Sequence, residues 1–211
     1  VLTKGARRRS TRRRRTPGSA SRTAILDAAR RLWFQHGARG VSARKIAEAV
    51  GLSPTAIYLY FRNIDDVHEH LRLEGHALLA NYLAAAGPDL PAVERIRAMG
   101  RAYHRFGREH PQQYALMFNV RPEETPRHEA LMREMQTLMQ LRRVVEEGIA
   151  RGEVRADLDP MVTTNTLWAQ IHGVTALTVS RLLAETTQGD ESAVLEAVLD
   201  ATAAWIAPRA G

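Results

Sequence analysis

The chain has 211 residues, 45% of them hydrophobic, and no Cys. It is long enough to bury a sizeable core and lacks the thiols for a disulfide framework, a Cys zinc site or a Cys nucleophile. Its formal net charge is +7, but residues 1–23 hold one Lys and eight Arg with no acid, a block of +9 that leaves −2 for the remainder. The excess basicity therefore belongs to an N-terminal arm, and the high isoelectric point says little about the folded body.

Residues 1–20 form an Arg-rich, low-complexity arm, expected to be disordered in isolation. Three readings stand for it: a solvated tail, an arm lying on phosphates or in a minor groove, or a targeting signal. No apolar stretch succeeds its charges, so it does not read as a secretory signal. With no thiols to oxidise, the expectation is a cytoplasmic protein.

Beyond the arm the chain has helical periodicity almost throughout, with no sustained strand-like alternation. The first helix is predicted over Ser21–His36, with Ile25, Ala28, Ala29, Leu32 and Trp33 as its apolar stripe and Gly37 as its stop. "SARKIAEAV" comes next, with Ser42 as N-cap, and Gly51 breaks it. "SPTAIYLYF" is predicted as the third helix, with Ser53 as N-cap and Pro54 at the first helical position. A long fourth helix starts near Asn63, with Asp65 and Asp66 at its positive end. Further helices are expected from Pro91, from Pro111, from Thr125-Pro126 (with Leu131 on its stripe), from Asp159-Pro160 and over "DESAVLEAVLDATAAWI". From Pro160 through Ser180 there is no Asp, Glu, Lys or Arg. That length permits a membrane span, but its Thr, Asn, Gln and His residues argue against one. A helix uncharged on all faces is instead buried on more than one side, here between the domain core and a partner subunit. The expected homodimer forms through the last two helices.

The two short helices joined by "VGLS" make a helix-turn-helix candidate. On a helical wheel Ile57 and Phe61 fall about 40° apart and face the first helix, while Thr55 and Leu59 point away with Tyr58 and Arg62 on the flank. Tyr60 is ambiguous on the wheel. Outward Thr, Leu and Tyr suit a helix entering a major groove, where hydroxyls bond base edges or phosphates and Leu59 touches a thymine methyl. Ser42 and Ser53 leave helix N-termini ready for phosphate; Arg44 and Lys45 supply charge. From Arg39 to Arg62 the local charge is +3, against an acidic body. The competing reading is a helical hairpin with an aromatic core.

Arg22 to Val67 resembles the N-terminal DNA-binding domain of TetR/AcrR-type transcriptional regulators. The matching positions include Ile25-Leu26, Ala28-Ala29, Leu32, Gly37, Ser42, Ile46-Ala47, Gly51, Ser53, Ile57-Tyr58 and Tyr60-Phe61. The resemblance implies that Ser42 and Tyr60 hold phosphates and that Arg44, Thr55, Ala56, Tyr58 and Leu59 line the groove, with Arg44 able to read a guanine. Ala43, Lys45, Ser53 and Arg62 complete the expected DNA-facing set. Where the family usually carries Lys, this chain has Ile64, and Arg62 is the expected substitute. "PQQYALMF" and Trp168 to Gly173 are similar to a subgroup with a Trp-x-x-x-His-Gly motif, which implies a ligand-responsive, dimerising domain with no single ligand class.

In the body, Trp168 and His172 share a helix face at i, i+4, either as core packing or as a pocket wall. Tyr103, Phe106, Met117, Phe118, Met135 and Met139 carry the same two readings. No metal is expected: His68 and His70 lie about 200° apart around a helix, and Arg72 stands where a His-Glu-x-x-His motif needs its second His. No cofactor motif appears.

The fold expected is all-α: a three-helix helix-turn-helix DNA-binding domain over residues 21–66 after the 1–20 arm, then a larger helical ligand-binding and dimerisation domain over 67–211. The function expected is a non-enzymatic regulator, a repressor released from a palindromic double-stranded DNA operator by an unknown small-molecule effector. Two rivals are a ligand-independent architectural DNA-binding protein driven by the Arg arm and a helical enzyme with an appended DNA-binding head.

Overall fold

The computed structural model describes residues 22–37, 40–118, 128–188 and 190–209, with backbone alone for 128–134. The 1–20 arm, Ser21, Arg39, the Thr125-Pro126 helix start and the Leu131 side chain lie outside the described residues. The fold is all-α, without a strand among the described residues, and the chain divides into two compact units, Val1–Val67 and His68–Gly211.

The first unit contains α1 (Arg22–His36), α2 (Ala43–Val50), α3 (Pro54–Ile57) and the start of α4 (Ile64–Ala84). Ile25, Ala28 and Ala29 of α1 are fully buried, and Ile46 and Ala47 of α2 join them. Trp33 and Leu32 are only half-buried, so the α1 stripe is narrower than its apolar spacing predicts, and Leu26 belongs to it instead. Gly51 ends α2 at φ 74, a left-handed conformation that lets the Leu52 N–H reach back to the Ala47 carbonyl at 2.8 Å.

The third helix departs from its predicted length. It is expected through Phe61, but α3 stops at Ile57 and residues 58–60 form turns. Three-residue bonds take over, from Tyr58 N–H to the Thr55 carbonyl at 3.2 Å, Leu59 to Ala56 at 3.3 Å and Tyr60 to Ile57 at 3.0 Å. A tightened last turn satisfies carbonyls that a helix end leaves open, and it keeps Ile57 and Phe61 on one side.

In the second unit, α5 (Ala92–Glu109) is the central element, packing on α6 (Pro111–Phe118), α7 (His128–Ala150), α8 (Pro160–Val179) and α10 (Glu191–Ile206). Close approach is built into α5. A Cβ on Gly107 would lie 2.3 Å from Thr175 Cγ2, and one on Gly100 2.6 Å from Leu199 Cδ2. The Asp159 carboxylate accepts the Val162 N–H at 2.8 Å and starts the uncharged α8. Helices α5, α7 and α10 cover much of α8, leaving Val162 and Leu177 exposed. No described helix is long and apolar enough to cross a membrane. A short α9 (Leu182–Thr186) separates α8 from α10 and is unanticipated, because the break before it uses Arg181 at φ 63 rather than Gly or Pro.

Candidate functional site

The first unit presents a mixed surface around α3. Ile57 and Phe61 are 1% and 2% exposed, whereas Tyr58 and Leu59 are 52% and 83% exposed. Thr55 is exposed and Ala56 half-buried; Tyr60 sits at the edge, half-buried. Arg44 and Lys45 are exposed on α2, with Ala43 half-buried at its start. The Ser42 hydroxyl accepts the Lys45 N–H and the Ser53 hydroxyl the Ala56 N–H, each at 3.3 Å. Each hydroxyl keeps its own proton for an outside acceptor.

The α4 start is held by two side-chain caps: Asn63 Oδ1 accepts the Asp66 N–H at 2.8 Å, and Asp66 Oδ2 accepts the N–H of Arg62, the residue before Asn63, at 2.8 Å. Arg62 Nη2 lies 3.6 Å from Asp66 Oδ1 while its side chain stays 64% exposed. Its guanidinium is therefore open to solvent, with the Asp66 carboxylate one turn away. Ile64 is half-buried.

The second unit holds a partly open cavity of about 350 Å³, within the range of small-molecule sites, roughly 300–1,000 Å³. His76, Leu79 and Leu83 of α4 form one wall, and Ile96, Met99 and Tyr103 of α5 another. Met117 and Phe118 come from α6, Met135 and Leu138 from α7, and Trp168, Gln170 and Thr202 from α8 and α10. Among the described residues lining it there is no Asp, Glu, Lys or Arg.

Of the body residues named from sequence, Tyr103, Met117, Phe118, Met135 and Trp168 come together on this wall, and three do not. Phe106 is fully buried behind it, against the rings of Tyr82 and His110. Met139 is half-buried on α7, away from the lining. His172 lies one layer back, tied to the wall by a polar knot. The Trp168 Nε1–H donates to the Tyr103 hydroxyl at 3.4 Å, and the Tyr103 and Tyr114 hydroxyls each lie 2.9 Å from His172 Nδ1. Donor and acceptor roles at Nδ1 follow the ring tautomer, and the Tyr114 hydroxyl also has an acceptor in the His172 carbonyl at 3.3 Å. Burial lowers the His172 pKa and holds Tyr103 up at about 12, so both stay neutral near pH 7.

His76 is a wall residue absent from the set expected from sequence. It shares its face of α4 with Leu79 and Leu83, at i, i+3 and i+7, and that spacing is the signal for its burial.

Residues 25–71 match the family described as bacterial regulatory proteins, tetR family, and residues 96–202 match the tetracyclin repressor-like C-terminal domain. Over 97 residues the chain is 29% identical to the HTH-type transcriptional regulator Rv1816 of Mycobacterium tuberculosis, covering 44% of this chain and 42% of that protein. The chain thus spans less than half the length of the curated relatives it matches. Its fold is similar to that of a Rhodococcus sp. RHA1 protein of unknown function, at TM-score 0.78 and 22% identity, covering 92% of this chain and 100% of the other. It is also similar to the fatty acid degradation regulator FadR of Bacillus halodurans, at TM-score 0.68 and 19% identity, covering 87% and 98%.

Proposed function

The chain belongs to the TetR family of bacterial transcriptional regulators, and from that premise we propose that it is a repressor. It binds a palindromic operator as a homodimer and leaves it when a small molecule occupies the cavity. In this reading residues 21–66 contact DNA, residues 67–211 dimerise and bind the effector, and no reaction is catalysed. The cytoplasm, where the DNA is, is its place of action.

The exposure pattern on either side of α3 carries the DNA reading. Tyr58 and Leu59 stand out from a core closed by Ile57 and Phe61, as a groove-reading surface requires. Arg44, Lys45 and Arg62 supply the phosphate-facing charge, with Ser42 and Tyr60 as hydroxyl donors and Arg44 as the guanine reader. Dimerisation through α8 and α10 is supported by what those helices leave uncovered. Val162, Ala169 and Leu177 on α8, with Ala193, Ala197 and Ala201 on α10, are exposed and uncharged. The effector acts through α4, which carries both the Asn63-capped start and the His76 wall. It must bind the released conformation more tightly than the DNA-bound one.

The test is Tyr58→Ala against the DNA flanking its own gene, by footprinting and fluorescence anisotropy. Specific affinity should fall by on the order of 1–3 kcal/mol while size-exclusion chromatography still shows the dimer. Unchanged operator affinity refutes the role of Tyr58. Deleting residues 1–21 should weaken specific binding and flatten its salt dependence without abolishing it. Loss of all sequence preference would favour the architectural reading.

A further inference from the structure

We propose that the Arg-rich segment before α1 lies in the DNA minor groove flanking each operator half-site, and that Arg22 sets its point of entry. The inference rests on the DNA-binding reading of the first unit and adds a second groove to it.

Arg22 begins α1 and is exposed. Its guanidinium carbon stands 4.8 Å from the centroid of the Phe61 ring, a cation–π distance. Phe61 is a buried core residue, but its neighbours in the chain are not: Tyr60 is half-buried and the Arg62 side chain is 64% exposed. The chain therefore enters α1 at the edge of the surface that carries Tyr58, Leu59, Tyr60 and Arg62.

The sequence ahead of Arg22 suits a path from that edge. Thr16, Pro17, Gly18, Ser19, Ala20 and Ser21 form a spacer of six residues without a charge or a bulky side chain. Before it stand seven Arg, at 7–9 and 12–15, against one Lys at position 4. From Arg22 back to Arg15 the backbone spans at most about 25 Å. A recognition element in the major groove has the next minor groove half a helical turn away, about 17 Å. The spacer thus crosses the intervening phosphates and delivers the first Arg run to that groove. The bias toward Arg favours the groove over the phosphates alone. Either cation neutralises a phosphate, whereas insertion into a minor groove suits the planar, weakly hydrated guanidinium.

The chain has no Cys, so Ser10→Cys, between the two Arg runs, provides a single attachment point for an iron–EDTA label on the full chain. The DNA is the stretch next to its own gene that the wild-type chain footprints. Radical cuts should fall at one position flanking each half-site, offset to the 3′ side between the strands, the mark of a source in the minor groove. Flanking pairs are then set to A·T, G·C or inosine·cytosine. Inosine keeps the major-groove face of guanine and lacks its minor-groove amine. Inosine·cytosine flanks should bind as A·T flanks do, and G·C flanks about fivefold more weakly. A chain lacking residues 1–15 should not distinguish the three. Arg22→Ala should spread the cuts over more base pairs, and an unchanged cutting pattern overturns its role as the entry point. Cuts with a 5′ offset, cuts scattered evenly along the duplex, or equal binding of inosine·cytosine and G·C flanks overturn the minor-groove placement. No cuts on DNA that the labelled chain still footprints overturn the inference alone. No footprint from the wild-type chain overturns it together with the DNA-binding reading.

Discussion

Gly75 is a position where α4 and α6 approach closely, and Gly75→Ala tests that contact. A Cβ there would lie 2.6 Å from Gln113 Nε2, 2.6 Å from Met117 Sδ and 2.7 Å from Met117 Cγ, well inside van der Waals contact. Two effects oppose each other. Ala is the better helix former in a helix interior by roughly 0.8–1 kcal/mol. Against it stands overpacking, typically about 1–3 kcal/mol. The same methyl displaces the Gln113 amide from the Leu71 carbonyl, which it reaches at 2.8 Å, for about 1 kcal/mol more. The net expectation is a loss of about 1–3 kcal/mol. Urea unfolding measures it as a lower midpoint at unchanged m-value. Met117 has three rotatable bonds and lines the cavity, so its relief route is to swing inward. The variant should therefore also bind cavity ligands more weakly. A Gly75→Ala chain stabilised by the helix-propensity gain would show that α4 and α6 are not in close contact and would refute the overpacking expectation.

Acid should destabilise the chain through His76. Its folded pKa of about 4 lies below the ordinary 6.5, so the unfolded state binds more protons between those values and stability falls as pH drops through that window. The His76 contribution between pH 7 and pH 5 is about 2 kcal/mol, and the difference between wild type and His76→Leu in urea melts at the two pH values should recover it. Ser53→Ala should lower stability by about 0.5–2 kcal/mol through loss of the α3 cap, whereas Ser53→Asp should keep the cap and lose operator affinity by repelling phosphate. Both effects are separable by thermal melts and DNA titration. Leu177→Arg places a charge on the exposed uncharged face of α8 and should convert the dimer to a monomer in sedimentation experiments; an intact dimer would place the interface elsewhere.

The sequence was most informative where burial comes from local spacing. Ile57 and Phe61 are four residues apart, and no tertiary knowledge is needed to put them on one side. That conclusion survived even though α3 proved to be a single turn, because the three-residue bonds after Ile57 rotate the chain by little more than a helix would. Helix starts were legible for the same reason: Ser42 and Ser53, read as N-caps, and Asn63 and Asp159, read as helix starts, each accept an N–H three residues on. The α8–α9 break was not legible, since a non-Gly residue at positive φ carries no composition signal.

The cavity shows the other limit. Its wall draws on α4, α5, α6, α7, α8 and α10, so no window of sequence contains it. Each wall residue by itself looks like core, and whether Met117 fills space or borders a void depends on the helices opposite. Phe106 and Tyr103 lie three residues apart on α5 and are almost equally buried, at 0% and 5% exposure. Only Tyr103 reaches the cavity, because Phe106 turns to Tyr82 and His110. What separates a binding wall from a core is thus the packing around a side chain rather than its residue type.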